Sequence, residues 1–198
     1  MPRASPRHRN SRSDVYEAAL TLFAAHGYRA TGIRDIADAL GIGTTSVYSH
    51  IDSKAELLSE VVLTTIEAVL QGQTDAIASS EDAAEQLRRT VESFVRHFTR
   101  HPREAIVTTR DFVWLDGEDR VRALALRDEF RARIMALLRR GHERGSFTVD
   151  NAKVAAFAII EMCEAIPTWF DPAGELSEAR VAYLYAEFAV SIAGAGAR

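Results

Sequence analysis

Apolar residues recur at helical spacing along most of this chain, and the pattern is clearest between positions 33 and 54. Four apolar side chains there occupy positions i, i+3, i+4 and i+7, which is the spacing of one face of a helix about two turns long. These side chains are Ile33, Ile36, Ala37 and Leu40. Gly41 follows, where a left-handed glycine commonly ends a helix. We therefore predict a short amphipathic helix over 33–40.

A second short helix is predicted directly after this turn. Gly43 and Thr44 offer a flexible approach and a hydroxyl cap, while Val47 and Ile51 supply buried anchors. The other face carries hydroxyl, phenol and imidazole groups, at a density suited to contacts with base edges and phosphate oxygens. These polar residues are Thr44, Thr45, Ser46, Tyr48, Ser49 and His50. Two short helices joined in this way are typical of a DNA-reading helix-turn-helix.

A third helix is predicted to begin at Lys54. Ser53 and Glu56 have the spacing of a capping box, in which each side chain accepts a hydrogen bond from the other residue's backbone. The free amides at a helix start carry partial positive charge, so Lys54 and this helix end together form a candidate phosphate clamp.

Upstream, another helix is predicted to open at Ser13 or Asp14 and to end at Gly27. Its apolar stripe consists of Val15, Ala18, Ala19, Leu22 and Phe23. The 13 residues at the start contain four arginines, two prolines and no acid, which is typical of a disordered segment attracted to polyanions. The arginines are Arg3, Arg7, Arg9 and Arg12. Such a segment is either a DNA-contacting arm or a solvated tail without function.

The remainder of the chain also has helical periodicity, without strand alternation or repeats, so we predict an all-α fold. The spacing indicates helices over about 54–78, 87–101, 103–114, 118–143 and 152–166, and a last one through 181–192. Pro102 limits the second of these, because it disfavours helix at the preceding residue. In the helix over 118–143 the predicted apolar stripe includes Val121 and Leu124.

Composition agrees with a globular protein of two modest units. The chain has 198 residues, of which 47% are hydrophobic and 26% charged. It has neither an apolar run long enough to span a membrane nor an apolar signal segment, so we expect a cytoplasmic protein without a membrane partner. Cys163 is the single cysteine, which excludes an intrachain disulfide.

The formal net charge of −4 is unevenly distributed along the chain. Without the four arginines near its start, the chain has 20 basic residues against 28 acidic ones, a net charge of −8. A local basic surface can therefore bind DNA while the acidic body limits nonspecific association.

The segment from Ser13 to Leu58 resembles the N-terminal domain of the TetR family of bacterial transcriptional repressors. The matching positions are Gly27-Tyr28, Ala30-Thr31, Ile36-Ala37, Gly41-Ile42, Val47-Tyr48, His50 and Ser53-Lys54. The resemblance implies that Arg34 and residues 44–46 meet bases, and that Tyr48, His50 and Lys54 hold phosphates. The chain departs from the family pattern at Gly32, where a capping hydroxyl is usual, and at Ile51, where an aromatic residue is usual.

The resemblance also implies three regions: a basic disordered arm over 1–12, a helix-turn-helix domain over 13–53, and an effector-binding and dimerisation domain over 54–198. The last helix has an apolar stripe of Val181, Leu184, Tyr185, Phe188 and Ile192. Taken alone, this stripe is either a dimer interface or intramolecular core. Proteins of the TetR family pair through their last two helices, and a dimer presents two recognition helices to successive major grooves about 34–36 Å apart.

In the TetR family an effector enters a cavity in the C-terminal domain, and the helix that begins at Lys54 transmits the change to the DNA-reading heads. Candidate lining residues are Phe94, Phe98, Arg110, Phe112, Trp114, Phe130, Phe157, Glu161, Met162 and Trp169. The alternative for the apolar members is ordinary core, and for Arg110 and Glu161 an exposed or ion-paired side chain. The segment over 133–192 resembles domains that sense acyl-CoA thioesters, with a different apolar small molecule as the alternative.

Other chemistry has little support in the sequence. His97 and His101 have the i, i+4 spacing of a metal pair, but no carboxylate or cysteine cluster accompanies them. Cys163 lies in an apolar segment and fits a core residue better than a redox sensor. We therefore predict neither a metal nor a cofactor. The rival to a DNA-binding regulator is a helical enzyme or carrier whose helix-turn-helix serves only packing or protein binding.

Overall fold

A computed structural model describes residues 11–195, and over that range the chain forms nine α-helices, two 3-10 turns and no strand. The all-α prediction is therefore confirmed. The N-terminal unit contains α1 (Arg12–His26), α2 (Ile33–Leu40) and α3 (Thr44–Tyr48). Of the predicted arm, only Ser11 and Arg12 fall within the described residues, and Arg3, Arg7 and Arg9 lie outside them.

The first helix begins two residues earlier than predicted, because Ser11 and not Ser13 is its cap. The Ser11 hydroxyl accepts from the Asp14 amide, and the Asp14 carboxylate accepts from the Ser11 amide at 2.7 Å. Arg12 is consequently part of α1, where its guanidinium pairs with Glu56 and Glu60 at 2.7 Å each. These hydrogen bonds raise the pKa of Arg12 and lower that of Glu56. Arg12 therefore belongs to the folded body and not to the predicted arm.

The helix-turn-helix follows the prediction closely. Gly41 ends α2 with a φ of 65°, a left-handed conformation that glycine adopts without steric cost. Val47 and Ile51 are buried, as predicted. One detail differs, because the cap of α3 is Gly43 and no side chain caps this helix. The hydroxyl of Thr44 is thus left on the exposed side of α3.

The rest of the described chain consists of six further α-helices and two 3-10 turns, at Phe112–Trp114 and Ile166–Thr168. The helices are α4 (Lys54–Ala78), α5 (Ala83–Arg100), α6 (Pro102–Arg110), α7 (Gly117–Glu143), α8 (Ala152–Glu164) and α9 (Glu178–Ile192). None of the helices in the described range is long and apolar enough to cross a bilayer.

Two hydrophobic cores share α4. Its first half, from Leu57 to Ile66, packs with the helix-turn-helix, whereas Val69 further along packs with α5, α7, α8 and α9. The N-terminal core also takes Val107 and Phe112 from beyond α4. The packing therefore does not divide between residues 53 and 54, because α4 contributes side chains to both cores.

Two predicted core positions of α7 are exposed. Val121 and Leu124 lie near the start of this helix, on a face that no other described element covers, whereas Phe130, Ile134 and Leu137 further along are buried. The predicted stripe was wrong at Val121 and Leu124 because helical spacing gives the apolar face of a helix but not the length over which neighbours cover it.

Candidate nucleic-acid interface and effector cavity

The surface of α3 presents polar side chains around a single buried anchor, Val47. The residues over 44–46 and 48–49 are exposed, His50 is partly exposed, and the Tyr48 side chain projects with 55% of its surface accessible. The Ser49 hydroxyl donates to the Ser46 carbonyl at 2.7 Å, so its oxygen remains available as an acceptor. An exposed helix face with these donors and acceptors can contact base edges and phosphates.

Arg34 extends this surface from the neighbouring helix α2. Its side chain is 88% exposed, and its nearest acidic neighbour, Asp38, is 3.9 Å away. At such exposure this ion pair is weak, so the guanidinium is free to bind another acceptor. The cap of α2 is Gly32, whose amide donates to the Asp35 carboxylate at 2.7 Å. The reading surface therefore consists of the start of α2 and the exposed face of α3.

Lys54, the predicted phosphate ligand, is bonded to two backbone carbonyls of its own chain. Its ammonium donates to the carbonyls of Tyr28 and Thr31 at 2.9 and 2.6 Å, and it lies 4.2 Å from the centre of the Tyr28 ring. Burial lowers the pKa of this lysine. Lys54 thus ties the start of α4 to the loop between α1 and α2, because that loop presents two carbonyls that no helix satisfies.

The predicted capping box at the start of α4 is only half formed. Ser53 accepts from the Glu56 amide as expected, but the Glu56 carboxylate accepts from the Asp52 amide and from Arg12. The helix nevertheless begins at Lys54, as predicted.

A polar junction joins α6 to the helix-turn-helix unit. The Arg110 guanidinium donates to the carbonyls of Phe23 and Ala24, at the end of α1, and pairs with Asp111 at 2.8 Å. Asp111 is almost fully buried, and its carboxylate accepts from the Tyr28 amide at 3.3 Å. A cation at a helix C-terminus satisfies carbonyls that lack partners within the helix. Arg110 therefore belongs to this junction and not to the predicted effector cavity.

A cavity of about 40 Å³ lies among α4, α5, α6, α7 and α8. Its apolar lining consists of Ile66, Val69, Phe94, Phe98, Phe130 and Ile160. The Phe94 ring packs edge-on against Phe98 and Phe130, with centroids 4.7 and 5.3 Å apart. Three of the predicted lining residues, all of them phenylalanines, are thus brought together here. In this conformation the volume is sufficient for a few water molecules.

The polar lining of the cavity was not predicted. It consists of Thr65, Thr108, Thr109, Arg127, Arg131 and Glu164. Arg127 and Glu164 form an ion pair of 2.7 Å with both side chains 19% exposed, and the guanidinium also lies 4.6 Å from the centre of the Phe112 ring. The sequence does contain a signal, since α4 and α6 carry threonines within apolar segments, but the prediction rested on aromatic residues.

The other predicted lining residues lie elsewhere in the structure. Phe112 belongs to the N-terminal core, Trp114 is exposed beside Arg29, and Met162 packs on the C-terminal core. Phe157 and Glu161 face outward from α8, whereas Ile160 and Glu164 face the cavity. Trp169 is exposed and stacks on Tyr185. On α8 the prediction differs from the structure because the rotation of this helix against its neighbours, which selects the inward face, depends on tertiary packing. Phe112, Trp114 and Trp169 lie in or beside the 3-10 turns, whose side-chain directions helical spacing does not give.

Comparison with known proteins agrees with this architecture. Residues 15–61 match the model of bacterial regulatory proteins of the tetR family, and residues 80–193 match that of the tetracyclin repressor-like C-terminal domain. The chain belongs to the TetR family. It is 30% identical to the HTH-type transcriptional repressor KstR2 of Rhodococcus jostii, across 88% of this chain and 86% of that protein. Members of the family are transcriptional regulators, so the rival interpretation as an enzyme or carrier is set aside.

Two solved structures have the same fold as this TetR-family chain. The regulator PfmR of Thermus thermophilus is 31% identical with a TM-score of 0.80, across 89% of this chain and 97% of that one. AibR, whose structure contains isovaleryl coenzyme A and operator DNA, is 22% identical with a TM-score of 0.78, across 91% and 96%. At that identity AibR shows a shared fold alone.

The outer face of α8 and α9 carries exposed apolar side chains, and of these Phe157 has the Arg131 guanidinium 5.6 Å from its ring centre. These side chains include Val154, Phe157, Phe188 and Ile192, with Leu184 partly exposed. Val181, predicted to belong to this face, is instead 1% exposed within the core. One turn later Tyr185 stacks on Trp169, so the segment after α8 packs against this end of α9. Ala182, Ala186 and Ala189 of α9 are buried in the same core, and the helix lies mainly along α5.

The remaining candidate groups do not assemble into a further site. The rings of His97 and His101 lie 4.8 Å apart, and within residues 11–195 no group of three or more His, Cys, Asp or Glu could hold a metal ion. Burial, followed by the neighbouring His101, lowers the pKa of His97 to about 4. Cys163 is fully buried, and burial raises the pKa of its thiol. A thiol in this environment packs as a small apolar group.

Proposed function

We propose that this TetR-family regulator binds a palindromic operator as a homodimer and is released by a small, largely apolar effector. The observation that carries the proposal is the polar surface of α3, which is exposed around the buried anchor Val47. A helix of this kind, supported by a second helix across its start, has the geometry of a major-groove reader.

Specific roles follow from the position of each side chain on that surface. We assign base contacts to Arg34, Thr44, Thr45 and Ser46, and phosphate contacts to Tyr48, Ser49 and His50. Arginine recognises guanine by donating two hydrogen bonds to its O6 and N7 atoms. A hydroxyl group can both donate and accept, so it can bind a donor or an acceptor on a base edge. Lys54 acts indirectly, since its bonds to Tyr28 and Thr31 hold the loop before α2 in place.

The exposed apolar face of α8 and α9 supports the dimer. Apolar side chains that line up on two adjacent helices are typical of an interface, because contiguous exposed apolar surface is unfavourable in water. Pairing these two helices with their symmetry mates forms a four-helix bundle. The two reading heads are then held at a fixed separation, as two successive major grooves require. We place the protein in the cytoplasm, together with its operator.

The cavity supports an effector that is mainly apolar, with an acyl-CoA thioester as one candidate. AibR, which shares the fold, binds isovaleryl coenzyme A. The present volume of about 40 Å³ is far smaller than the roughly 300–1,000 Å³ of typical ligand sites. A ligand must therefore displace the helices around it. Both α4 and α6 line the cavity and contact the helix-turn-helix unit, so their displacement changes the separation of the heads.

The test begins by selecting duplexes from a random pool with the purified full-length chain. We expect enrichment of an inverted repeat whose half-sites are separated by whole helical turns. The variant R34A should bind the selected duplex about 1–3 kcal/mol more weakly and with relaxed preference at one base pair of each half-site. The variant R139A removes an equally cationic, exposed side chain from α7 and should bind normally. Failure to enrich any sequence, or equal losses in both variants, would contradict the proposed interface.

A further inference from the structure

One polar group that lines the cavity lacks a hydrogen-bond partner. Buried threonines in helices commonly donate to the carbonyl four residues earlier, as Thr65 does to Val61 at 2.7 Å and Thr109 does to Ala105 at 2.5 Å. Thr108, between the cavity and the polar junction of α6, is 6% exposed, and its hydroxyl has no partner among the described residues. A buried hydroxyl without a partner is costly, so this group is available to a ligand.

The charged groups of the cavity, in contrast, are already paired. Arg127 is held by Glu164 at 2.7 Å, and Arg131 by Asp128 at 2.8 Å. Because each guanidinium is already neutralised by a carboxylate, an anionic ligand group gains less here than it would beside an unpaired cation, whereas a neutral acceptor needs no cation. The polar group without a partner is therefore a neutral hydroxyl, in a cavity that is also lined by the rings of Phe94, Phe98 and Phe130.

We propose that the cavity selects molecules with an apolar body and one neutral oxygen acceptor, and that the Thr108 hydroxyl donates a hydrogen bond to that oxygen. The acceptor is a carbonyl of the kind found in ketones, esters and thioesters, because a carboxylate meets no unpaired cation here. This inference rests on the proposed function, since it describes the chemistry of the effector that the cavity receives. It makes Thr108 the residue that determines specificity.

Thr90 provides a matched control. It is another buried threonine whose hydroxyl has no partner among the described residues, but it lies on α5, outside the lining of the cavity. Valine has the shape of threonine and removes only the hydroxyl. Both T108V and T90V should therefore raise the melting temperature by a similar small amount, because each removes an unsatisfied buried polar group. Only T108V should change ligand preference.

The experiment measures binding of three probes with the same aromatic body by titration calorimetry on the full-length chain. The probes are 4-phenylbutan-2-one, which has a neutral carbonyl, butylbenzene, which has none, and 4-phenylbutanoate, which has a carboxylate. Wild type should bind the ketone about three- to tenfold more tightly than the hydrocarbon, the ratio that one neutral hydrogen bond provides, and should bind the carboxylate most weakly. T108V should lose the preference for the ketone, while T108S and T90V retain it.

Several results would overturn the inference. They are a wild type that binds none of the probes, equal binding of ketone and hydrocarbon, tightest binding of the carboxylate, and a preference for the ketone that persists in T108V. The same preparations are tested on the selected duplex. If the duplex is bound normally in the absence of probe, any of these results rejects only the role of Thr108. If wild type without probe does not bind the duplex, the proposed function itself is rejected.

Discussion

The reading surface and the cavity of this protein are assembled in opposite ways. The reading surface comes from one continuous segment, α2 to α3, whose polar side chains point away from the buried residues Ile36 and Val47. The cavity takes its lining from five helices, and residues as distant as Thr65 and Glu164 meet in it. A site on one exposed helix is determined by local periodicity, whereas a site among helices depends on how each is rotated against the others.

The two regions are nevertheless mechanically joined. The first half of α4 packs in the N-terminal core, and the middle of the same helix, at Thr65, Ile66 and Val69, lines the cavity. In α6, Thr108 and Thr109 line the cavity, and the next residue, Arg110, holds the end of α1. A ligand that moves α6 therefore acts on the reading head through a second connection, separate from α4.

The largest expected effect is the loss of DNA affinity when the proposed dimer is disrupted. Phe188 is 52% exposed on the outer face of α9, and the variant F188R should leave the protein monomeric, because it places a charge in the proposed interface. Two linked heads bind neighbouring half-sites with high effective concentration, so affinity for the selected duplex should fall at least about 100-fold. Analytical ultracentrifugation and a duplex titration measure both quantities.

The control for this variant is Y183R. Tyr183 is also exposed, but it lies five positions before Phe188, so the two side chains are about 140° apart around the helix axis. The Y183R variant should remain dimeric and bind the duplex. A dimer that survives F188R, or one that is lost equally in Y183R, would locate the interface elsewhere.

The junction between the regions should contribute an intermediate amount to stability. R110A leaves the buried Asp111 carboxylate without its cation and two carbonyls of α1 without their donor, so the free energy of unfolding should fall by about 2 kcal/mol. R103A removes an exposed ion pair with Glu17 from the other end of α6 and should cost less than about 1 kcal/mol. Urea unfolding followed by circular dichroism compares the two. Equal losses would mean that the junction has no special role.

The smallest effect concerns acid sensitivity, which should reside in the C-terminal region. The folded pKa of His97 is about 4, below its ordinary value of 6.5, so the unfolded chain takes up a proton first as the pH falls. The stability that neutral His97 contributes is present above pH 6.5 and is lost between about pH 6.5 and 4. Because partial exposure screens the charge, the loss should be about 1–2 kcal/mol.

The variant H97Q should reduce this dependence on pH, whereas H142N, which removes an exposed imidazole of α7, should leave it unchanged. Denaturant midpoints measured from pH 7 to pH 4 make the comparison. An unchanged slope in H97Q would assign the acid sensitivity to other groups.

Local signals predicted most of the helix-turn-helix. The end of α2 at Gly41, the anchors Val47 and Ile51, and the start of α4 at Lys54 are all as expected. Two details of this region differ from the prediction. The N-cap of α1 is Ser11, although Ser13 is also a suitable capping residue, and the Lys54 side chain turns inward to the Tyr28 carbonyl. Neither choice is determined by spacing alone.

The cavity shows how much less the sequence determined in the C-terminal region. Selection by aromatic character gave Phe94, Phe98 and Phe130, which line the cavity, but it also gave Phe157 and Trp169, which face outward. The sequence does not distinguish Thr108 from other threonines, because a threonine becomes informative only when its hydroxyl is known to be buried and unpaired.

The sequence by itself determined that this chain is all helical and that its N-terminal segment has the pattern of a DNA reader, because helix periodicity, caps and glycine turns act over a few residues. Only the tertiary structure decided which faces of α6 and α8 border the cavity and that Lys54 and Arg110 bond to backbone carbonyls at and after the end of α1. Those outcomes depend on the rotation and contact of helices that are distant in sequence, and no short-range pattern encodes them.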